Sequence, residues 1–156
     1  MDCDQILPNL YVGNCPVASD DIELLKESGI NAVLNLQSDE DLISHAIDWP
    51  ALRACYSSLD IAIRRVPIID FDDDSLRDQL PEAVRVLTEL LKRNHTTFVH
   101  CNAGVNRSPS AIVSYLHWME DWNLDDAVQH VRRCHPCSPV TDVIRMATWD
   151  RRRGMS

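Results

Sequence analysis

Leu76, Leu80, Ala83, Val84, Leu87, Leu90 and Leu91 recur at three- and four-residue intervals. That spacing puts them on one face of a helix over residues 76–93, the clearest element in the chain. A helix with one long apolar stripe has to lie against another apolar layer. The flanking sequence supplies one. Ile61 to Ile69 is β-branched and strand-like, and Thr96-Thr97-Phe98-Val99 reads as the next strand. The same alternation runs through the rest of the chain. Ile6 to Val12 can form a short strand or hairpin interrupted by Pro8-Asn9. A helix is expected over Asp20 to Ser28, with Asp20 as cap, Glu23 three residues on and Gly29 as stop. Ala32 to Leu36 reads as a buried strand. Ser38-x-x-Asp41 can cap the helix after it, and Pro50 to Tyr56 forms a further short helix. Pro109 suits a first helical turn, with the helix continuing from Ser110 to Asp121. Asn123 can cap the next helix, with Leu124, Val128 and Val131 inward, and Thr141 opens a last one. Strands alternating with helices predict an α/β domain with a twisted, mainly parallel central sheet flanked by helices. Ligands bind such sheets beyond the C-terminal ends of the strands, where the Asp70 segment and Cys101 both fall.

The chain has 156 residues, 45% of them hydrophobic, which is one domain's worth with enough apolar side chain for a core. No repeat, low-complexity tract or Gly/Ser linker divides it, so residues 1–156 are read as a single domain. Net charge is −9, which argues against a nucleic-acid partner, because phosphate backbones need clustered Lys and Arg. Arg151-Arg152-Arg153 reads as a solvated helix end favoured by the helix dipole. The N-terminal residues show no basic flank or long apolar stretch, and no run approaches a membrane span. Six cysteines in a mixed helix-and-strand chain do not look like a secreted disulfide framework. The expectation is a monomeric cytoplasmic protein without membrane attachment, or a plastid one if a transit peptide has been removed.

Phe98-Val99-His100-Cys101-Asn102-Ala103-Gly104-Val105-Asn106-Arg107-Ser108-Pro109-Ser110 joins the end of a strand to the start of a helix. Cys-x5-Arg is weak as a bare spacing, but this context gives it meaning. Ala103-Gly104 allow a tight loop, and Arg107-Ser108 close it at a helix start. Such a loop can turn successive backbone N–H groups inward as an anion nest at the positive helix end. Arg107 adds a fork for two phosphate oxygens, and the same field favours a reactive thiolate.

His100-Cys101-x2-Gly104-x2-Arg107-Ser108 resembles the signature of the cysteine-based protein tyrosine phosphatase superfamily, and the short domain resembles its dual-specificity branch. The resemblance implies a protein tyrosine phosphatase-like fold, no cofactor and no metal. It implies Cys101 as nucleophile, residues 102–107 (Asn102, Ala103, Gly104, Val105, Asn106, Arg107) as phosphate cradle, Ser108 as hydrogen-bond donor to the leaving thiolate, and His100 as an organiser of the loop backbone. Ester cleavage also needs a proton for the leaving oxygen and then a base for water, roles one carboxyl can fill in turn. Val66-Pro67-Ile68-Ile69-Asp70-Phe71-Asp72 resembles the family's acid loop. Asp70 is the first candidate and Asp72 the second, while Asp73 and Asp74 read as solvated loop and helix cap.

Residues 102, 103, 105 and 106 include no Lys or Arg, which disfavours phosphoinositides and suits a single phosphate. Leu36-Gln37-x-Asp39-x-Asp41-Leu42, Asp70-Phe71-Asp72, Tyr115-x-x-Trp118 and Ile144-Arg145-x-Ala147-Thr148 are similar to the phosphatase domain of plant starch-associated glucan phosphatases. Laforin is a more distant relative. Those enzymes stack sugars on an aromatic channel. Phe71 matches one ring, whereas Ser44-His45 and Ser138 stand where the family has aromatics, and Asn106 replaces its usual glycine. Trp49, Trp118, Trp122 and Trp149 read as packing residues rather than a sugar platform. Phe71 and Asp72 are therefore the candidate substrate contacts.

Cys134-His135-Pro136-Cys137 with His130 suggests zinc, but no second ligand pair follows, so a helix-connecting loop is expected. Cys55, Cys15 or Cys134 could pair with Cys101 under oxidation. The leading expectation is hydrolysis of phosphotyrosine and phosphoserine/phosphothreonine in proteins through a phosphocysteine. A phosphoglucan phosphatase and a catalytically weak, phosphatase-like binding scaffold are the alternatives.

Overall fold

The computed structural model describes residues 1–154. Its five strands are β1 (Cys3–Leu7), β2 (Leu10–Gly13), β3 (Ala32–Asn35), β4 (Ala62–Arg65) and β5 (Thr97–His100), in the order β1-β2-β5-β3-β4. Only the β1–β2 hairpin is antiparallel; every other pair is parallel. The helices are α1 (Ser19–Glu27), α2 (Asp39–Ser44), α3 (Trp49–Ser58), α4 (Asp73–Lys92), α5 (Arg107–Met119), α6 (Leu124–Cys134) and α7 (Thr141–Arg152). The mainly parallel α/β architecture is the one the alternating pattern predicts.

Both central strands, β3 and β5, are buried along their whole length. Side chains alternate between the two faces of a strand, and here each face has its own core. Leu10, Val12, Leu34 and Val99 pack with the apolar stripe of α4 and with α5, α6 and α7. Val33 and Phe98 point the other way, toward Ile22 and Leu25 of α1 and Leu52 and Tyr56 of α3. Each fully buried Leu or Phe contributes roughly 2–3 kcal/mol, so the two layers fix the direction in which β5 delivers the residue after it. Arg77 on α4 adds a bidentate pair to Asp150 on α7, both contacts at 2.7 Å.

Local chemistry sets most element ends. Ser38 and Asp41 form a reciprocal capping box on α2, and Asn123 accepts from Asp125 N and Asp126 N at the start of α6. Three expectations change. α1 is capped at Ala18, with Asp21 rather than Asp20 accepting from the Val17 and Ala18 amides. The strand expected to reach Ile69 stops at Arg65. Val66 N and Ile68 N still donate to Asn35 O and Leu36 O, but Pro67 between them has no N–H to give. α4 begins at Asp73, earlier than its apolar stripe, because Asp72 caps it through Ser75 N at 2.9 Å. No helix among the described residues is long and apolar enough to cross a membrane.

Candidate active site

β5 ends at His100, and the next six residues form a loop in which the carbonyls of Cys101, Asn102, Gly104, Val105 and Asn106 are held from outside. His100 Nδ1 donates to Cys101 O at 3.0 Å. Cys15 N donates to Asn102 O at 2.9 Å, and Ser138 N to Val105 O at 2.8 Å. A ring nitrogen of His135 reaches Gly104 O at 2.8 Å. Asn106 O accepts from both Ser110 N at 3.0 Å and Ser110 Oγ at 2.6 Å. In a planar trans peptide the C=O and the following N–H point in opposite directions, so each carbonyl held outward aims the next N–H inward. Among the described residues, no N–H from Asn102 to Asn106 donates to a backbone carbonyl outside regular structure. The amides face a concave space, with the N-terminus of α5 at its edge. Gly104 makes the turn at φ +72, and a Cβ there would stand 2.7 Å from Gly13 O. The close approach of β2 and the left-handed backbone both require glycine.

Cys101 lies under this cradle, 3% exposed, with Sγ 3.3 Å from Ser108 Oγ. Ser108 can therefore donate to a thiolate. Arg107, also 3% exposed, uses only one corner of its guanidinium for support. Its Nη1 donates to Asp41 Oδ2 at 2.6 Å and to Ile68 O at 2.7 Å. Its Nε is buried without a hydrogen-bond partner, although Asp70 Oδ1 stands 3.3 Å away as an unaligned counter-charge. An edge of the fork is thus left for an oxyanion, between the cradle and Asp70.

Asp41, the residue that closes the α2 capping box, is the main support of Arg107. It also accepts from Asn102 Nδ2 at 2.9 Å, and Asn102 Oδ1 accepts from Gln37 Nε2 at the same distance. Burial alone would raise the Asp41 carboxyl, but the hydrogen bonds from Arg107, Asn102 and Ser38 outweigh it and hold it at about 2. In the sequence Asp41 stands out only as the acidic partner of a capping box. An acidic residue that both closes a capping box and follows the C-terminal end of a central strand is the signal that could have marked it. His135 belongs to the zinc-like Cys134-His135-Pro136-Cys137 stretch. Its two ring nitrogens reach Gly104 O and Asp4, and His130 reaches Ile6 O; among the described residues no group of three or more His, Cys, Asp or Glu side chains could hold a metal ion.

The other candidates separate clearly. Asp70, Phe71, Cys101, Asn102, Ala103, Val105, Asn106 and Arg107 line one cavity of about 220 Å³. Asp72 is turned toward Ser75 N as the α4 cap and lines a smaller depression with Phe71, Asp73, Asn106 and Arg107. Phe71 sits at φ +57 and is 88% exposed, a bare ring at the mouth. Of the tryptophans, Trp118 donates to Thr148 Oγ1 at 2.9 Å, and Trp49, Trp118 and Trp149 lie under arginines; none lines the cavity. All six cysteines are unpaired. Cys15 is the one whose backbone touches the loop, while Cys55 packs on the far face of the sheet.

A thiol below a nest of N–H groups, a half-free guanidinium and a facing carboxyl can together bind a phosphate monoester, attack its phosphorus and protonate the leaving oxygen. The chain is 37% identical over 150 residues to phosphoglucan phosphatase LSF1 of Arabidopsis thaliana, covering 96% of this chain and 25% of that protein. It is 34% identical over 135 residues to laforin of Mus musculus, covering 80% and 41%. Against dual specificity protein phosphatase 9 of Homo sapiens it is 34% identical over 130 residues, covering 83% and 30%. The chain thus spans between a quarter and about two-fifths of these relatives. Among solved structures, Tk-PTP in the active form superposes with a TM-score of 0.76 at 22% identity, covering 95% of this chain and 94% of that one. Residues 10–146 match the dual specificity phosphatase catalytic domain, and the chain belongs to that family of cysteine-based phosphoric monoester hydrolases.

Proposed function

We propose that this domain removes single phosphates from phosphotyrosine, phosphoserine and phosphothreonine of protein substrates, with Cys101, Arg107, Asp70 and Ser108 as its working side chains. The Cys101 thiolate attacks phosphorus and the bond to the leaving oxygen breaks. Asp70 gives that oxygen its proton. Arg107 and the loop amides carry the charge that builds on the equatorial oxygens. Water then attacks the phosphocysteine, Asp70 takes its proton, and Ser108 donates to the departing thiolate. The observation that carries the reading is the buried Arg107 Nε without a hydrogen-bond partner, on a side chain that lines one small cavity together with Cys101 and Asp70.

The substrate assignment rests on the cavity's size and on a loop without Lys or Arg, which together suit one phosphate on a protein side chain. The charge of −9 speaks against nucleic acid, and we read the domain as monomeric, cytoplasmic and free of cofactor or metal. Phosphoglucan is the second reading. The exposed Phe71 ring beside the cavity and the kinship with LSF1 favour it. Against it, Ser44-His45 and Ser138 offer no further Phe, Tyr or Trp ring. Cys101→Ser is expected to abolish turnover of 4-nitrophenyl phosphate while phosphate analogues still bind; retained turnover would remove Cys101 as nucleophile. Wild-type rates on phosphopeptides set against phosphate release from amylopectin decide the substrate. Faster amylopectin turnover would overturn the protein reading.

A further inference from the structure

His135 follows α6, is 2% exposed, and joins two distant parts of the chain. One ring nitrogen, Nε2, lies 2.8 Å from Gly104 O. A carbonyl can only accept, so Nε2 carries a proton and donates it. The other, Nδ1, lies 2.6 Å from Asp4 Oδ2 on β1, a contact that requires one proton shared between the two atoms. Asp4 therefore holds the ring in plane and His135 holds the Gly104 carbonyl. The Gly104 carbonyl belongs to the same peptide plane as the Val105 N–H. Pinning the oxygen outward turns that N–H toward the cavity lined by Cys101, Val105 and Arg107. Gly104 is also where the loop has most freedom, at φ +72. The carbonyls of Cys101, Asn102, Val105 and Asn106 are held by backbone amides or by residues next to the loop in sequence, whereas this one depends on a side chain from the far end of α6.

We propose that His135, oriented by Asp4, is a positioning residue of the phosphatase: it aims the Val105 N–H at the phosphate and its transition state. It also gives the Cys134-His135-Pro136-Cys137 stretch a role that involves no metal. The proposal rests on this chain's being a phosphatase but not on which natural substrate it takes, so its test uses a small aryl phosphate and orthovanadate.

Removing the donor with His135→Phe is expected to lower kcat/KM for 4-nitrophenyl phosphate by about 100-fold, the usual loss for one oxyanion donor. Orthovanadate affinity should fall by about tenfold or more. His135→Gln, whose side-chain N–H can reach the same carbonyl, is expected to recover activity to within about fivefold of wild type; a merely space-filling ring would not be rescued this way. Asp4→Ala, which removes the orienting contact to Nδ1, should fall between the two. A folded His135→Phe that keeps wild-type vanadate affinity and turnover within about threefold would overturn the proposal. If that variant does not fold, Asp4→Ala decides, because the Asp4 side chain is partly exposed; unchanged vanadate affinity there overturns it equally. A wild-type chain that binds vanadate but hydrolyses nothing would sink the phosphatase reading while leaving the vanadate comparison intact.

Discussion

His100 keeps its ring proton on Nδ1, because the Cys101 carbonyl beside it can only accept. Its Nε2 is left as a buried lone pair with no partner, stacked behind Phe98 at 5.6 Å between ring centroids. Burial is the main reason its pKa is pulled from 6.5 down to about 4; the Cys101 hydrogen bond opposes the shift and the Arg107 charge adds to it. The unfolded chain therefore binds this proton more readily than the folded one. The contribution to stability is complete above pH 6.5 and disappears as the pH falls toward 4, amounting to about 3 kcal/mol. Urea titrations from pH 8 to 4 should show that loss, and His100→Asn, which can still donate to Cys101 O, should flatten it. Asp41 acts lower on the scale. Its carboxyl is held at about 2 against 3.8, so its contribution is present above pH 3.8 and lost on the way to 2. Asp41 and Arg107 are both nearly buried, at 9% and 3% side-chain exposure. Asp41→Asn removes the arginine's hydrogen-bonded counter-ion, leaving only the unaligned Asp70 carboxylate, and is expected to cost about 3 kcal/mol in urea unfolding. A loss below about 1 kcal/mol, as for a surface pair, would show that Arg107 has another support.

The segment between β4 and α4 puts two carboxylates two residues apart to different uses. Asp70 faces Arg107 and Asn102 at 3.3 and 3.5 Å, while Asp72 spends its side chain on Ser75 N. Asp70→Asn is expected to reduce kcat about 100-fold or more on substrates with poor leaving groups, with a small change in stability. Asp72→Ala should cost about 1 kcal/mol in thermal or urea unfolding, the usual value of a lost cap, and leave kcat within a few-fold. Equal losses of kcat in the two variants would mean that Asp70 is not the sole acid. This pair also shows what a sequence can and cannot disclose. Caps such as Ser38 and Asn123 are contacts over two or three residues, so they are written in the local string and were legible, as was the loop from Cys101 to Arg107. The Asp41–Arg107 and Asp4–His135 pairs are 66 and 131 positions apart. Only the packing of the sheet brings them together, and each half had a sufficient local explanation, one as a helix cap and the other within a metal-like cluster. The end of β4 was misjudged for a related reason: β-branched character runs on to Ile69, but Pro67 removes a ladder N–H and the Ile68 carbonyl goes to Arg107 instead.

The charge of the whole molecule sets a constraint that no single contact shows. A domain of this phosphatase family carries −9 overall, and Arg107, the side chain proposed to grip the phosphate, is buried where it lines the cavity. Asp72, Asp73 and Asp74 are exposed, and two of them line the depression that adjoins Arg107. A dianionic substrate approaches through that field, which opposes it until the nest and Arg107 take hold. A substrate that brings its own positive charges beside the phosphate is attracted by the same rim. Phosphopeptides with Lys flanking the phosphorylated residue are therefore expected to exceed Glu-flanked ones in kcat/KM by about tenfold at low salt, most of it through association rate. The Debye length shrinks from about 30 Å at 0.01 M salt to about 3 Å at 1 M, so the preference should collapse toward unity over that range. The triple variant Asp72→Asn, Asp73→Asn, Asp74→Asn should erase it at low salt, with 4-nitrophenyl phosphate serving as the control for intact chemistry. If the Lys preference persists at 1 M salt or in the triple variant, it comes from direct contacts inside the cavity and the acidic rim does not select substrates.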